Sequence, residues 1–217
     1  MTKLERIHLR CPNCETQFDS TRLDAVDALG PKHTDFHVDA DWQRTLCHAI
    51  HVCRRCGFAG SEGRFFSTAG VNYNVQRRVW SELAPRVGSS PLPASERYEF
   101  AALIATWDGA PLRSIGDLWL RAAWCCVDED DVEAERYYRR HAAWSFERSL
   151  AEYDSVDRAD RAVLTYLVGE LWRRVGDEAL AKEWFDRVSE EIVDFPEQEW
   201  VARWAKQQHD NPREWFV

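Results

Sequence analysis

The sequence predicts an α+β fold, mostly α, in which a small β-rich N-terminal module precedes antiparallel helical hairpins. Three observations carry this prediction. Two Cys-x-x-Cys pairs, Cys11–Cys14 and Cys53–Cys56, bracket short β-favouring stretches. From Pro93 onward, apolar residues recur at helical spacing. Within that half a pattern of small residue, alanine and aromatic occurs twice at equal spacing, as Ala122–Ala134–Tyr138 and Gly169–Ala181–Phe185.

The elements follow in order. Residues 1–70 form the module. Its strand candidates are Ile7-His8-Leu9, Thr21 to Val26, Phe36 to Val38 and Ala49 to Cys53, with Gly30-Pro31 as a turn. Residues 61–71 read as a glycine-containing bridge. Residues 71–93 connect the halves: a helix over 72–87, with Val75, Val79, Leu83 and Val87 in register, then the linker Gly88 to Pro93. Residues 94–217 are helical throughout. One helix runs from Ser95 to about Trp107 and is broken by Gly109-Ala110-Pro111. Ser114 is a candidate cap for the next, which carries Ile115, Leu118, Trp119, Ala122, Ala123 and Cys126 on its apolar face. The acidic turn Asp128 to Asp131 precedes a helix ending near Leu150. Further helices span about 156–175, 178–193 and 197–209, with Gly176-Asp177 as a stop.

The repeated pattern matches a tetratricopeptide-like hairpin. Ala122 or Gly169 lets two helices approach, Ala134 or Ala181 faces it, and Tyr138 or Phe185 fills the gap to the next hairpin. Eleven tryptophans in 217 residues call for a substantial packed core. With 45% hydrophobic and 30% charged residues, the chain reads as globular and not disordered. A net charge of −9 opposes non-specific binding to nucleic acid or to an anionic membrane. No basic-then-apolar leader opens the sequence and no apolar run is long enough to span a bilayer, so a cytoplasmic protein is expected.

Seven cysteines are an odd number for a disulfide framework, and paired Cys-x-x-Cys motifs in a reducing compartment point to metal. The expected ligands are Cys11, Cys14, Cys53 and Cys56, holding one structural Zn²⁺ in a zinc-ribbon-like module. Four thiolates close the tetrahedron and leave no position for substrate. Gly57 frees the second knuckle to fold back on itself. The stretch from Glu15 to Val52 exceeds the roughly 15–20 residues of a compact ribbon, so extra strands are expected around residues 20–45.

Other residues offer alternatives. His51, with Cys47 and His48, lies close enough in sequence to substitute for a ligand. His33 and His37, with Asp35 and Asp39, form either a second metal cluster or, as the preferred reading, the polar face of an exposed strand. Arg10, Arg54 and Arg55 flank the thiols and suggest phosphate contact. Residues 1–60 nevertheless carry no net charge, which a nucleic-acid module should not. Glu170, Asp177, Glu178 and Glu183 near Arg173 and Arg174 read as solvated helix faces. Trp200 and Trp204 read as the cap of the last hairpin, with Trp215 and Phe216 packed beside them.

The ordered set of motifs resembles a bacterial family known as domain of unknown function 2225. The residues that carry the resemblance are Cys11-Pro12-Asn13-Cys14, Thr34-Asp35-Phe36 and Val52-Cys53-Arg54-Arg55-Cys56-Gly57-Phe58-Ala59. Leu120-Arg121-Ala122-Ala123-Trp124, Tyr166 to Leu171 and Arg174-Val175-Gly176 extend it into the helical half. The Arg54-Arg55 pair and the additional Cys47 depart from the family pattern. The resemblance implies zinc binding and tetratricopeptide-like helices; it brings no activity.

No phosphate loop, nucleophile elbow or metalloprotease motif is present. The expected function is therefore a non-catalytic zinc-binding adaptor whose helical groove takes a protein or peptide partner. A nucleic-acid-associated ribbon factor is the first alternative. An enzyme with a site around His33, His37, His48 or His51 is the second.

Overall fold

The computed structural model describes residues 4–23, 30–38, 46–67, 69–152 and 155–216. The N-terminal module holds two antiparallel hairpins. Strand β1 (Leu4–Arg10) pairs with β2 (Gln17–Leu23), closing on Arg10 opposite Gln17. Strand β3 (His51–Val52) pairs with β4 (Ala59–Gly60), closing on Val52 opposite Ala59. Alternation in β1 sends Ile7 and Leu9 inward, while Arg6 and His8 face out to Asp19.

Two expectations for this module change. Residues 36–38 are not a strand. Lys32 forms an isolated bridge with Val38, and Phe36 between them turns the chain at φ 69°. Residues 61–71 are not a plain bridge either: α1 (Glu62–Phe66) forms there despite Gly63. Burial outweighs the glycine, because α1 sets Phe65 among Phe18 and Phe58, each 5.6 Å away between ring centroids. The extra strands expected around residues 20–45 amount, where described, to the end of β2 and the isolated bridges of Lys32 with Val38 and of His33 with Trp215. Residues 24–29 and 39–45 lie outside the described residues.

Helix α2 (Tyr73–Arg78) runs on through a π turn, Val79–Leu83, into a 3₁₀ turn, Ala84–Arg86. Pro85 supplies no N–H to the helical ladder, which loosens the backbone around it. Of the apolar series read from the sequence, Val75, Val79 and Leu83 are fully buried, while Val87 lies past the last helical turn and is only partly buried.

The helical half comprises α3 (Ala94–Trp107), α4 (Leu112–Glu129), α5 (Val132–Ala151), α6 (Arg158–Val175), α7 (Glu178–Glu191) and α8 (Glu199–Asp210). Aspartates cap three of them. Asp131 accepts from the N–H of Ala134, Asp157 from Ala159 and Asp177 from Leu180, each within 3.1 Å. Ser114 is not a cap. Pro111 has a preset φ, so α4 starts directly after it and Ser114 already lies in the first turn.

The hairpins pack where glycine removes bulk. A Cβ on Gly169 would sit 2.7 Å from the Phe185 ring and 3.2 Å from the Ala181 carbonyl. A Cβ on Gly116 would overlap the ring of Phe146. Phe185 thus fills the space inside its own hairpin and also shares a cluster with Val201 and Ala205 of α8. Tyr138 likewise stacks on Trp119 of its own hairpin at 5.7 Å. Replacing Gly169 by valine is expected to cost about 1–3 kcal/mol through overpacking. A fall in the urea midpoint measures it, and Phe185→Leu should recover part of the loss.

One apolar core runs without interruption from Ile7 and Cys11 through α3, α4 and α5 to Trp184. A smaller cluster around Tyr166, Phe185 and Val201 serves the last hairpin and α8. Among the described residues no helix is long and apolar enough to cross a membrane.

Candidate metal centre

The two Cys-x-x-Cys motifs occupy equivalent places. Residues 11–16 link β1 to β2, and residues 53–58 link β3 to β4. Each loop closes with the same pair of backbone bonds. Cys11 N–H donates to Thr16 O and Glu15 N–H to Cys11 O; Cys53 N–H donates to Phe58 O and Gly57 N–H to Cys53 O. Each also needs one left-handed residue, Glu15 at φ 61° and Gly57 at φ 80°. The two tips meet so that all four sulfurs lie within 4.8 Å of one another. Two contacts cross between knuckles: Cys11 to Cys56 and Cys14 to Cys53, both 3.6 Å. This quartet could hold one metal ion.

Cys11, Cys53 and Cys56 shift one another's thiols in opposite directions. Hydrogen bonds from Cys11 and Cys56, joined by backbone N–H groups of Cys56 and Arg55, hold Cys53 down to about 2. Contacts with Cys53 and Cys56, and burial, push Cys11 far up. Cys56 is pushed up to about 12, the Cys11 contact lowering it while the Cys53 contact and burial raise it more. Crowded sulfurs of this kind share protons until a cation replaces them, so metal uptake releases protons.

The left-handed positions differ in their tolerance. A Cβ on Gly57 would lie 2.8 Å from Cβ of Leu83, in a backbone conformation already strained for an L-residue. Gly57→Ala is expected to cost about 1–3 kcal/mol. Glu15→Gly, at the matching place in the first knuckle, is expected to stabilise by about 1 kcal/mol, since it relieves that strain. Thermal melts of the two variants should move in opposite directions.

The other sequence candidates go elsewhere. His51 Nδ1 bonds the Ser20 hydroxyl at 2.8 Å and His48 Nδ1 bonds that of Thr21 at 3.1 Å, so both face β2. Cys47 stands beside Cys125, and its carbonyl accepts from Arg97 at 3.0 Å. Arg54 and Arg55 are exposed on the second knuckle, while Arg10 pairs with Glu15 at 3.3 Å. Among the described residues no other trio of His, Cys, Asp and Glu converges closely enough for one ion. Asp39 lies outside them.

The expectation that residues 33–37 form an exposed polar strand is overturned. Asp35 is fully buried and points into the helical half. It accepts from Arg139 Nη1 at 2.5 Å and Trp124 Nε1 at 3.0 Å, with Arg174 Nη2 at 3.8 Å. Burial alone would raise this carboxyl, but the charges of Arg139 and Arg174 hold it well below the usual carboxylate range. Thr34 donates to Glu170 Oε1 at 2.5 Å and takes the Tyr166 hydroxyl on its carbonyl at 2.9 Å. Phe36 packs on Tyr166 and Trp204. Glu170, expected on a solvated face, is fully buried between Arg173 and Arg174, at 2.8 Å from each. A tight turn, Thr34-Asp35-Phe36, thus clamps the N-terminal module to α4, α5 and α6. The i, i+4 spacing of Glu170 and Arg174 was visible in sequence; the partners of Asp35 were not, because Trp124 and Arg139 are far away along the chain.

No curated protein and no solved structure matches the chain. A family model described as an uncharacterized protein conserved in bacteria (DUF2225) matches residues 4–211, which include both knuckles, the buried turn and all the helices. The chain therefore belongs to the DUF2225 family of bacterial proteins.

Proposed function

We propose that this protein is a non-catalytic adaptor of the cytoplasm: a Zn²⁺ ion organises its N-terminal module, and its tetratricopeptide-like hairpins offer a cleft to a protein or peptide partner. Zinc suits the donor set. Four sulfurs at about 2.3 Å from a tetrahedral ion stand about 3.8 Å apart, and the Cys11–Cys56 and Cys14–Cys53 contacts are 3.6 Å. Thiolates filling every position leave no place for substrate, which favours a structural ion. Uncrosslinked thiols suit a reducing compartment.

One observation carries the adaptor reading. The cleft bounded by α4, α6 and α8 already receives non-helical chain from two distant parts of the protein, residues 32–38 and 213–216. A surface built to seat its own irregular segments has the shape and donors to seat another. The test is affinity capture from native cells with the full chain as bait, beside Trp204→Ala in the cleft and Glu183→Gln on α7. A reproducible partner lost only with Trp204→Ala supports the reading. No reproducible partner, or one indifferent to the cleft, contradicts it.

A further inference from the structure

The two segments in the cleft are held very differently. The Thr34-Asp35-Phe36 turn is sealed: Asp35 is 0% exposed, its partner Arg139 is 1% exposed, and Arg139, Trp124, Arg174 and the His37 N–H converge on one carboxylate. Residues 213–216 form an outer layer laid against it. Thr34 N–H donates to Glu214 O at 3.0 Å and Phe216 N–H to Lys32 O at 3.1 Å, so these residues add as an antiparallel edge to residues 32–34. The bridge between His33 and Trp215 lies in the same ladder. Glu214 pairs with Arg173 at 3.1 Å and Arg174 at 2.9 Å, but its side chain is 55% exposed, where ion pairs are weak. Trp215 stacks on His33 at 3.6 Å and Phe216 on Trp204 at 3.8 Å. Gln208 receives Arg213 N–H at 2.7 Å and donates to its carbonyl at 2.8 Å.

Room remains beside the occupant. A cavity of about 210 Å³, partly open to solvent, lies next to Phe216 and is lined also by Tyr166, Arg203, Trp204 and Gln207. Main-chain pairing supplies affinity of a general kind, and side-chain pockets at alternate positions supply selectivity. Here those features are two arginines for an acidic residue, a histidine face for the aromatic after it, and an aromatic well with spare room for the next.

We propose that the cleft between α6, α8 and residues 32–34 is a peptide-recognition site for an extended acidic–aromatic–aromatic segment, and that Glu214-Trp215-Phe216 is its resident, displaceable ligand. The inference rests on the adaptor reading and specifies the partner's chemistry. A partner strand of this type would replace residues 213–216 and place a larger aromatic in the open cavity. The buried Asp35 turn would stay as the floor.

The test uses the full chain and a variant truncated after Asn211, each checked for native circular dichroism and bound metal. The probe is a fluorescein-labelled peptide of residues Asn211 to Phe216, followed by anisotropy. The truncated chain should bind it saturably and the full chain at least about tenfold more weakly. Phe216→Ala in the peptide should weaken binding by about tenfold or more, as loss of an aromatic anchor does. If the truncated chain does not fold, full-length Phe216→Ala takes its place and should gain peptide binding over wild type. No saturable binding to the folded variants, or equal binding to every chain, overturns the proposal. So does a full-length dimer that dissociates on truncation, which would assign the cleft to the segment of a second copy. A native partner captured through the helices but indifferent to peptide competition removes this inference and leaves the adaptor reading standing.

Discussion

Replacing Cys53 by serine is expected to strip the metal and lower the thermal midpoint of the whole chain by about 8–16 °C. The figure follows from linkage. A site saturated at a thousand times its dissociation constant stabilises the folded state by about 4 kcal/mol. A chain of this size loses about 2–4 °C per kcal/mol. The loss should not stay within the module, because Cys11, Cys53 and Cys56 belong to the same continuous core as α3, α4 and α5. Scanning calorimetry with metal analysis on the same samples measures both effects. Cys126→Ser, a buried cysteine away from the quartet, should retain a full equivalent of metal. An unchanged midpoint for metal-free Cys53→Ser would contradict a structural role for the ion.

Arg139→Met should destabilise by about 3–5 kcal/mol, the range for removing one partner of a buried ion pair. Asp35 would then keep Trp124 and the more distant Arg174 but lose its closest charge. Denaturant unfolding measures the cost; a change below about 1 kcal/mol, the surface-pair range, would contradict the clamp. The same carboxylate predicts a pH dependence. Its folded value lies below the unfolded one, so its contribution is complete above about pH 4, the ordinary aspartate value. The contribution is then lost as pH falls toward the folded value. Asp35→Asn should be less stable at neutral pH and should flatten the acid limb of the stability curve. A variant whose acid limb runs parallel to wild type would remove Asp35 from the account.

The convergence of the four cysteines was legible because its information is local. Cys11-Pro12-Asn13-Cys14 and Cys53-Arg54-Arg55-Cys56-Gly57 each specify a tight turn with two sulfurs on one side, and convergence needs only one further contact. The helices were legible for the same reason, through apolar residues at helical spacing, the acidic turn Asp128 to Asp131 and the stop at Gly176-Asp177, whereas the caps made by Asp131, Asp157 and Asp177 emerge only in the structure. Residues 33–37 misled for the opposite reason. Alternating His and Asp looks like a wet strand when no partner is in view, and Arg139 and Trp124 come into view only on folding. Position Phe36 carried no signal of its φ of 69°, since glycine and asparagine are the usual markers of that conformation. The tail was partly legible: Trp204 does meet Phe216, whereas the pairing of residues 214–216 with 32–34 is long-range and silent in the pattern.

The most direct measurement is X-ray absorption at the zinc edge of the purified full chain, with metal counted per polypeptide. The account predicts one zinc, four sulfur neighbours at about 2.3 Å and no lighter ligand. A shell containing nitrogen or oxygen would contradict it, as would two ions per chain or a metal-free protein that melts like the loaded one.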